Sequence, residues 1–356
     1  MTQPWRGLGG LVFAAAAFFI LAFSVGGAAT SLLVLGPMAT FALPGIAVVA
    51  LWWKDWPGTR LNPPWTGVVN TVLVAVAGVA LTIAGQAVVE RPDLRAVFLA
   101  APGPGVPTTF PATLGLAGAI FTAMLQLYFV CERWPLDRLG RVRAGVAALL
   151  VSWAVGVGAY FLFVNVSDVP AAVRAADGLH DPGGPVALPD FGAALIVVGM
   201  WQAVLFIALR GWPVTLIGKR WVRLVTGNVL VAGLGAASYV VLRDLAGLAP
   251  GAITPACGCV ISAALVVELL FEGWPATLLS PGPRRLVTLG LTAALAVALY
   301  FALTAYARSV HWTRATPDDW VTTASLSFAG AGIILHVGIG LRWPFARPEQ
   351  TVPDPT

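Results

Sequence analysis

Ten apolar stretches of about twenty residues each dominate this chain: approximately 9–29, 31–53, 66–88, 111–131, 145–166, 190–209, 224–242, 253–271, 286–306 and 320–341. A helix of about 20 apolar residues spans the roughly 30 Å of bilayer hydrocarbon. Within hydrocarbon every backbone N–H and C=O must be satisfied inside the protein, which leaves helices or closed barrels. A barrel would show short alternating segments, and the sequence contains none. Charged residues make up only 10% of the 356 positions, against about 25% in soluble domains. The chain is therefore expected to be an all-α, multi-pass membrane protein with ten spans in a single transmembrane domain. The stretch 9–29 follows Arg6 like a signal peptide, but its apolar run exceeds the 7–15 residues of a signal core, so it is read as the first span.

The charges set the orientation. All 21 Lys and Arg residues fall outside the ten stretches, and 15 of them lie on the side that also holds both termini. By the positive-inside rule that side is cytoplasmic, with 345–356 as a short polar tail. The basic balance is thus a topology signal and implies no nucleic acid. Glu268 is the one charged residue in the interior of a stretch, Asp190 standing at the outer edge of another.

Five of the ten stretches end in Trp-Pro: Trp56-Pro57, Trp134-Pro135, Trp212-Pro213, Trp274-Pro275 and Trp343-Pro344. Proline disfavours helical geometry at the residue before it and lacks a donor N–H, so each helix ends at the tryptophan. Indole prefers the headgroup level, which makes Trp56, Trp134, Trp212, Trp274 and Trp343 interface anchors. The recurrence suggests five parallel in–out–in hairpins, about 1–57, 58–135, 136–213, 214–275 and 276–344. The outer connections share Pro/Gly-rich returns such as "APGPGVPTTFP" and "HDPGGPVALPD". Two of them, "RPDLRAVFLAA" and "VPAAVRAADGL", read as short surface helices.

Small-residue stripes at i, i+4, i+7 and i+11 mark faces where helices approach closely. The second helix of unit two carries Gly115, Ala119, Thr122 and Gln126. Unit four carries Cys257, Ile261, Ala264 and Glu268, and unit five Ser325, Ala329, Gly332 and His336. Unit three carries Gly192, Ile196, Gly199 and Ala203 with Gln202 alongside, and unit one Gly36, Thr40, Leu43 and Ala47. Gln126, Glu268 and His336 stand at nearly one depth, roughly 10 Å from the Trp-Pro surface at 1.5 Å per residue. An ionisable group at that depth is a site candidate by default. Glu268, His336, Gln126 and Gln202 are accordingly the candidate binding residues, and the first three are expected to share an interior space. Asn70, Gln86, Asn165 and Asn228 read as interhelical hydrogen-bonding groups. Cys257 and Cys259 diverge at i, i+2, so no metal site is read there, and "GWPVTLIGKR" lacks P-loop spacing. No cofactor or catalytic motif is present.

These features point to a cell (inner) membrane permease or channel for a small solute, with a proton link through Glu268. A non-catalytic scaffold or subunit with membrane partners is the alternative, and an intramembrane enzyme using Glu268 and His336 on a lipid-soluble substrate is the second. Single cysteines placed at 93 or 180 should react with an impermeant thiol reagent added outside, and cysteines at 58 or 218 should not. The opposite labelling pattern would reverse the orientation.

Overall fold

The computed structural model describes residues 2–100, 109–312 and 314–345, so part of the return at 101–111 and nearly all of the tail at 345–356 lie outside the described residues. The described chain is almost wholly helical. Its helices are α1 (Trp5–Ser24), α2 (Ala28–Trp52), α3 (Trp65–Val89), α4 (Leu94–Phe98), α5 (Leu114–Val130), α6 (Arg141–Phe163), α7 (Ala171–Asp177), α8 (Leu188–Ala208), α9 (Arg220–Leu245), α10 (Pro250–Leu270), α11 (Pro281–Ser309) and α12 (Pro317–Ile339). Nine of these are long and apolar enough to cross a membrane. The stretch at 111–131 condenses into the 17-residue α5, about 26 Å long at 1.5 Å per residue. Helices α4 and α7 sit in the long connections where short surface helices were expected. The pattern gave no hint of β1 (Val164–Asn165) and β2 (Val186–Ala187), which form a small parallel pair.

The helices form two layers. In the inner layer α2 packs on α5, α5 on α8, α8 on α10, α10 on α12, and α12 returns to α2, closing a ring. In the outer layer α3 packs on α2, α6 on α5, α9 on α8, α11 on α10, and α1 on α12. Burial separates the layers: 72% of the apolar window of α2 and 67% of that of α10 are buried, against 17% in α1, α9 and α11. The tight antiparallel partner of an inner helix is thus the helix that follows its Trp-Pro turn. Units drawn from one Trp-Pro to the next cut across these pairs. Among the described residues no helix follows the inner helix α12, which is covered by α1.

Each Trp-Pro turn is built alike. The last turn of the inner helix widens, so that an N–H reaches back five residues, as from Trp53 to Val48, Cys131 to Gln126, Leu209 to Val204, Phe271 to Val266 and Gly340 to Leu335. Two residues later a second N–H reaches back six, from Asp55, Arg133, Gly211, Gly273 and Arg342. Such backward bonds satisfy free carbonyls at a helix end, and turning the chain to make them calls for residues in the left-handed region. Accordingly φ is positive at Lys54 and Asp55, Glu132 and Arg133, Arg210 and Gly211, Glu272 and Gly273, and Leu341 and Arg342. All five Trp-Pro bonds are cis.

Close approach between layers relies on glycine. A Cβ at Gly156 of α6 would stand 2.8 Å from the backbone nitrogen of Ile120 in α5, whereas a Cβ at Gly158 would meet nothing within 4 Å. Backbone cannot yield as a side chain can. Gly156→Ala should therefore destabilise the protein by about 1–3 kcal/mol in detergent unfolding. Gly158→Ala should be neutral or stabilising by up to about 1 kcal/mol. Equal effects would show that the α5–α6 contact is not backbone-limited.

Candidate functional site

Helical periodicity decides which faces meet. On α8, Val198 packs on Gly235 and the Trp201 indole donates to the Ser238 hydroxyl (2.9 Å), turning that side to α9. Gly192, Ile196, Gly199 and Ala203 lie on the opposite side at 100° per residue, toward the ring axis. On α2, Phe41, Ala42 and Gly45 face α3 through Gly85, Gly78 and Ala77, which leaves Gly36, Thr40, Leu43 and Ala47 axial. The α5 stripe points toward α8. There Leu188 lies against Gly115, and Gln126 begins a polar chain across three helices. Gln202 Nε2 of α8 donates to Gln126 Oε1 (2.6 Å), and Gln126 Nε2 donates to Asn228 Oδ1 of α9 (2.8 Å). Gln202 is 1% exposed, and its Oε1 has no hydrogen-bond partner. Two candidate residues thus come together, with Asn228 as the third member.

Glu268 and His336 are placed differently. Glu268 accepts from both Nε (3.0 Å) and Nη2 (2.7 Å) of Arg210, in the turn after α8. Its side chain is only 5% exposed while that of Arg210 is 53% exposed. The lone intramembrane charge of the sequence is therefore one half of an ion pair between neighbouring inner helices. His336 is buried on the outward face of α12, where its Nε2 lies 3.0 Å from the Cβ position of Gly10 in α1. Its ring stands 5.1 Å from Phe13 and 6.2 Å from Phe345 between centroids. None of the contacts described joins Glu268, His336 and Gln126, so the shared interior space expected for them is not what their surroundings show. The physical reason is rotational: His336 turns toward α1, while Ser325 of the same stripe stands against Gly258 and Ser262 of α10, and the α5 stripe turns toward α8.

On the Trp-Pro face the ends of the inner helices are tied by further ion pairs. Glu132 is held by Arg223 and, at 3.6 Å, by Arg220, which also binds Asp137 at 2.8 Å. Glu272 is held by Arg6 and, at 3.2 Å, by Arg342. Arg342 Nη2 also donates to the Leu269 carbonyl at 2.6 Å. The acids Glu132 and Glu272 each stand two residues before their tryptophan, an offset visible in the sequence that depth-counting passed over. The tryptophans themselves are half-buried or exposed. Arg60 lies 5.7 Å over Trp56 and Arg285 4.9 Å over Trp212, within cation–π reach. Cys257 packs with Ala193 and Val197 on the α8 side, and Cys259 with Val321 on the α12 side, so the two thiols diverge.

No protein family matches the chain, and no curated protein and no solved structure shows significant similarity to it.

Removing Arg210 leaves a buried carboxylate without its donors. Arg210→Gln should lower stability by about 1–3 kcal/mol, and adding Glu268→Gln should restore most of the loss. If the double variant is as unstable as Arg210→Gln alone, the two side chains are not coupled.

Proposed function

We propose that this chain is a multi-pass cell-membrane permease or channel for a small solute, with the solute passing along the axis of the five inner helices. The observation that carries this reading is the axial face of α8: no atom lies within 4 Å of a Cβ at Gly192. Thr40 and Gly36 stand on the axial face of α2. The apolar clusters support it too, since each joins some neighbouring inner helices and none of those described joins all five. All ten apolar helices, α5 included, are read as crossing the bilayer. Alternation then brings the five Trp-Pro turns to one surface, which the charge asymmetry assigns to the cytoplasm together with both termini.

In the same reading, the five turns with their common hydrogen-bond pattern mark five parallel repeats around an axis near the membrane normal. The Arg210–Glu268, Arg223–Glu132 and Arg342–Glu272 pairs then form a cytoplasmic latch around the mouth of the path. Held by two donors of one guanidinium, Glu268 serves as a latch residue here. Gln126 and Gln202 line the α5–α8 seam, with the unpartnered Gln202 oxygen available to a donor.

A second reading has its own observation. An apolar groove of about 790 Å³ runs along α1 between Trp5, Leu8, Val12, Phe13 and Phe345 on the outer layer. Such a groove suits a helix of a partner subunit, and it favours a scaffold within a larger membrane complex. Acyl chains fill it equally well, which ranks this reading second.

Reconstituted vesicles decide between them. Stopped-flow shrinkage with a panel of small neutral and charged solutes should reveal at least one whose flux exceeds that of protein-free vesicles. Gly192→Trp, which fills open space, should reduce that flux by more than tenfold while leaving the protein folded. Vesicles as tight as protein-free controls to every solute would move the assignment to the scaffold.

A further inference from the structure

On the face opposite the Trp-Pro turns, a carboxyl group is buried without a partner. Glu90 follows directly on α3; it is 5% exposed, and neither carboxylate oxygen has a hydrogen-bond partner. Next to it, the hydroxyl of Tyr160 on α6 is also unpartnered in a fully buried residue, within electrostatic reach of Glu90. Gln86 donates to Thr109 Oγ1 at 2.6 Å, and its side chain also acts on the Glu90 carboxyl, favouring the charged form by less than burial disfavours it. The surroundings are tightly joined. Val89, Tyr160, Val164 and Val166 share one apolar cluster with Leu179 at its edge, and the His180 N–H donates to the Val89 carbonyl at 2.9 Å. An ionised carboxylate here would lack the donors or water that its charge requires.

We propose that Glu90 is a proton-binding site whose neutral carboxyl closes the joint between α3, α6 and the 164–187 connection, and whose ionisation loosens that joint. The charged groups around it do not supply a bonded counter-cation. Asp177 of α7 adds negative charge nearby, itself tempered by Arg314 and Arg91. Arg174 is committed to Asp181 at 3.0 Å, and Asp181 also accepts from the Val166 and Gly183 N–H groups. Arg95 is paired with Asp93 on the exposed side of α4. His180 contributes its backbone N–H. Burial, and then Asp177, push the Glu90 carboxyl up from the ordinary 4.5 to about 8. The unfolded chain releases this proton near 4.5 and the folded one near 8. Within that window the folded state binds more protons, so stability falls as pH rises and levels off above it. The site stands independently of the transport reading, because its test needs no solute.

The test compares purified full-length protein and Glu90→Gln in lipid nanodiscs. Thermal stability is followed from below the ordinary carboxylate range to above about 8. The difference between the two proteins isolates Glu90 from Asp55, whose carboxyl burial raises to about 7 on the opposite face. The wild type should lose stability relative to Glu90→Gln as pH rises through the window. The infrared C=O stretch of a neutral carboxylic acid should appear in the wild-type-minus-variant spectrum and vanish with a midpoint near 8. Asp177→Asn, which keeps Glu90 in place, should lower that midpoint. Parallel stability curves, or a carboxylate band at neutral pH, would overturn the proposal. So would stabilisation by sodium or ammonium ions above the midpoint that is lost in Glu90→Gln, since that behaviour belongs to a cation site.

Discussion

Inside hydrocarbon a helix satisfies its own backbone, but its last turn leaves carbonyls without donors. Everything on the Trp-Pro face follows from how those ends are closed. At all five turns the helix widens, two residues take left-handed or otherwise positive φ, and two N–H groups reach back to cap carbonyls of the final turn. Only Gly211 and Gly273 fill such positions with glycine; elsewhere Asp55, Arg133 and Arg342 do so. A non-glycine residue in that region costs roughly 1–2 kcal/mol. Two of the charged side chains placed there gain partners in return: Arg342 reaches Glu272 and two carbonyls of α10, and Arg133 lies over the Trp52 ring, whereas Asp55 keeps a buried oxygen without a hydrogen-bond partner.

The same turns organise the layers. The first four reverse the chain tightly, so the following helix lies against the inner helix just completed, and these reversals place four of the outer helices. The closing position is filled by α1, whose approach to α12 depends on Gly10 beside His336 and whose approach to the end of α10 depends on Gly7, where a Cβ would collide with Phe271. Ion pairs then join turn to neighbour, from Arg210 to Glu268 and from Arg223 to Glu132. The face with most of the basic residues is thereby cross-linked, while the opposite face is held by apolar contacts around Tyr160 and by the Arg243–Asp190 and Arg174–Asp181 pairs.

Much of the site was visible as residues and little of it as geometry. Glu268 stood out because one carboxylate amid apolar residues is conspicuous at any rotation. Its partner did not, since Arg210 lies 58 residues earlier and was counted only as a loop charge. Gln126 and Gln202 were each selected for depth, and their mutual hydrogen bond required α5 and α8 to be neighbours. His336 was grouped with them on depth alone; rotation about the helix axis, which depth does not contain, sends it to α1. Glu90 was passed over because it lies just past the end of an apolar run, where an acid looks solvated until the connections fold over it.

What the sequence determined by itself is whatever depends on local chemistry and length. It set the apolar helices, the asymmetry of basic residues across the two faces, and the small-residue faces suited to close packing. The helix ends expected at the tryptophans fall four residues earlier, at Trp52, Val130, Ala208, Leu270 and Ile339, because the widened last turn closes before the Trp-Pro pair is reached. Only the tertiary structure decided which helix stands beside which: that a turn pairs an inner helix with the one after it, that α1 covers α12, and that His336 looks outward while Ser325 on the same helix faces α10. The reason is that apolar helices with small hydrophobic asymmetry carry no strong rotational instruction. Their neighbours are selected by steric fits such as Gly156 on Ile120 and by ion pairs between distant turns, and neither exists until the chain has assembled.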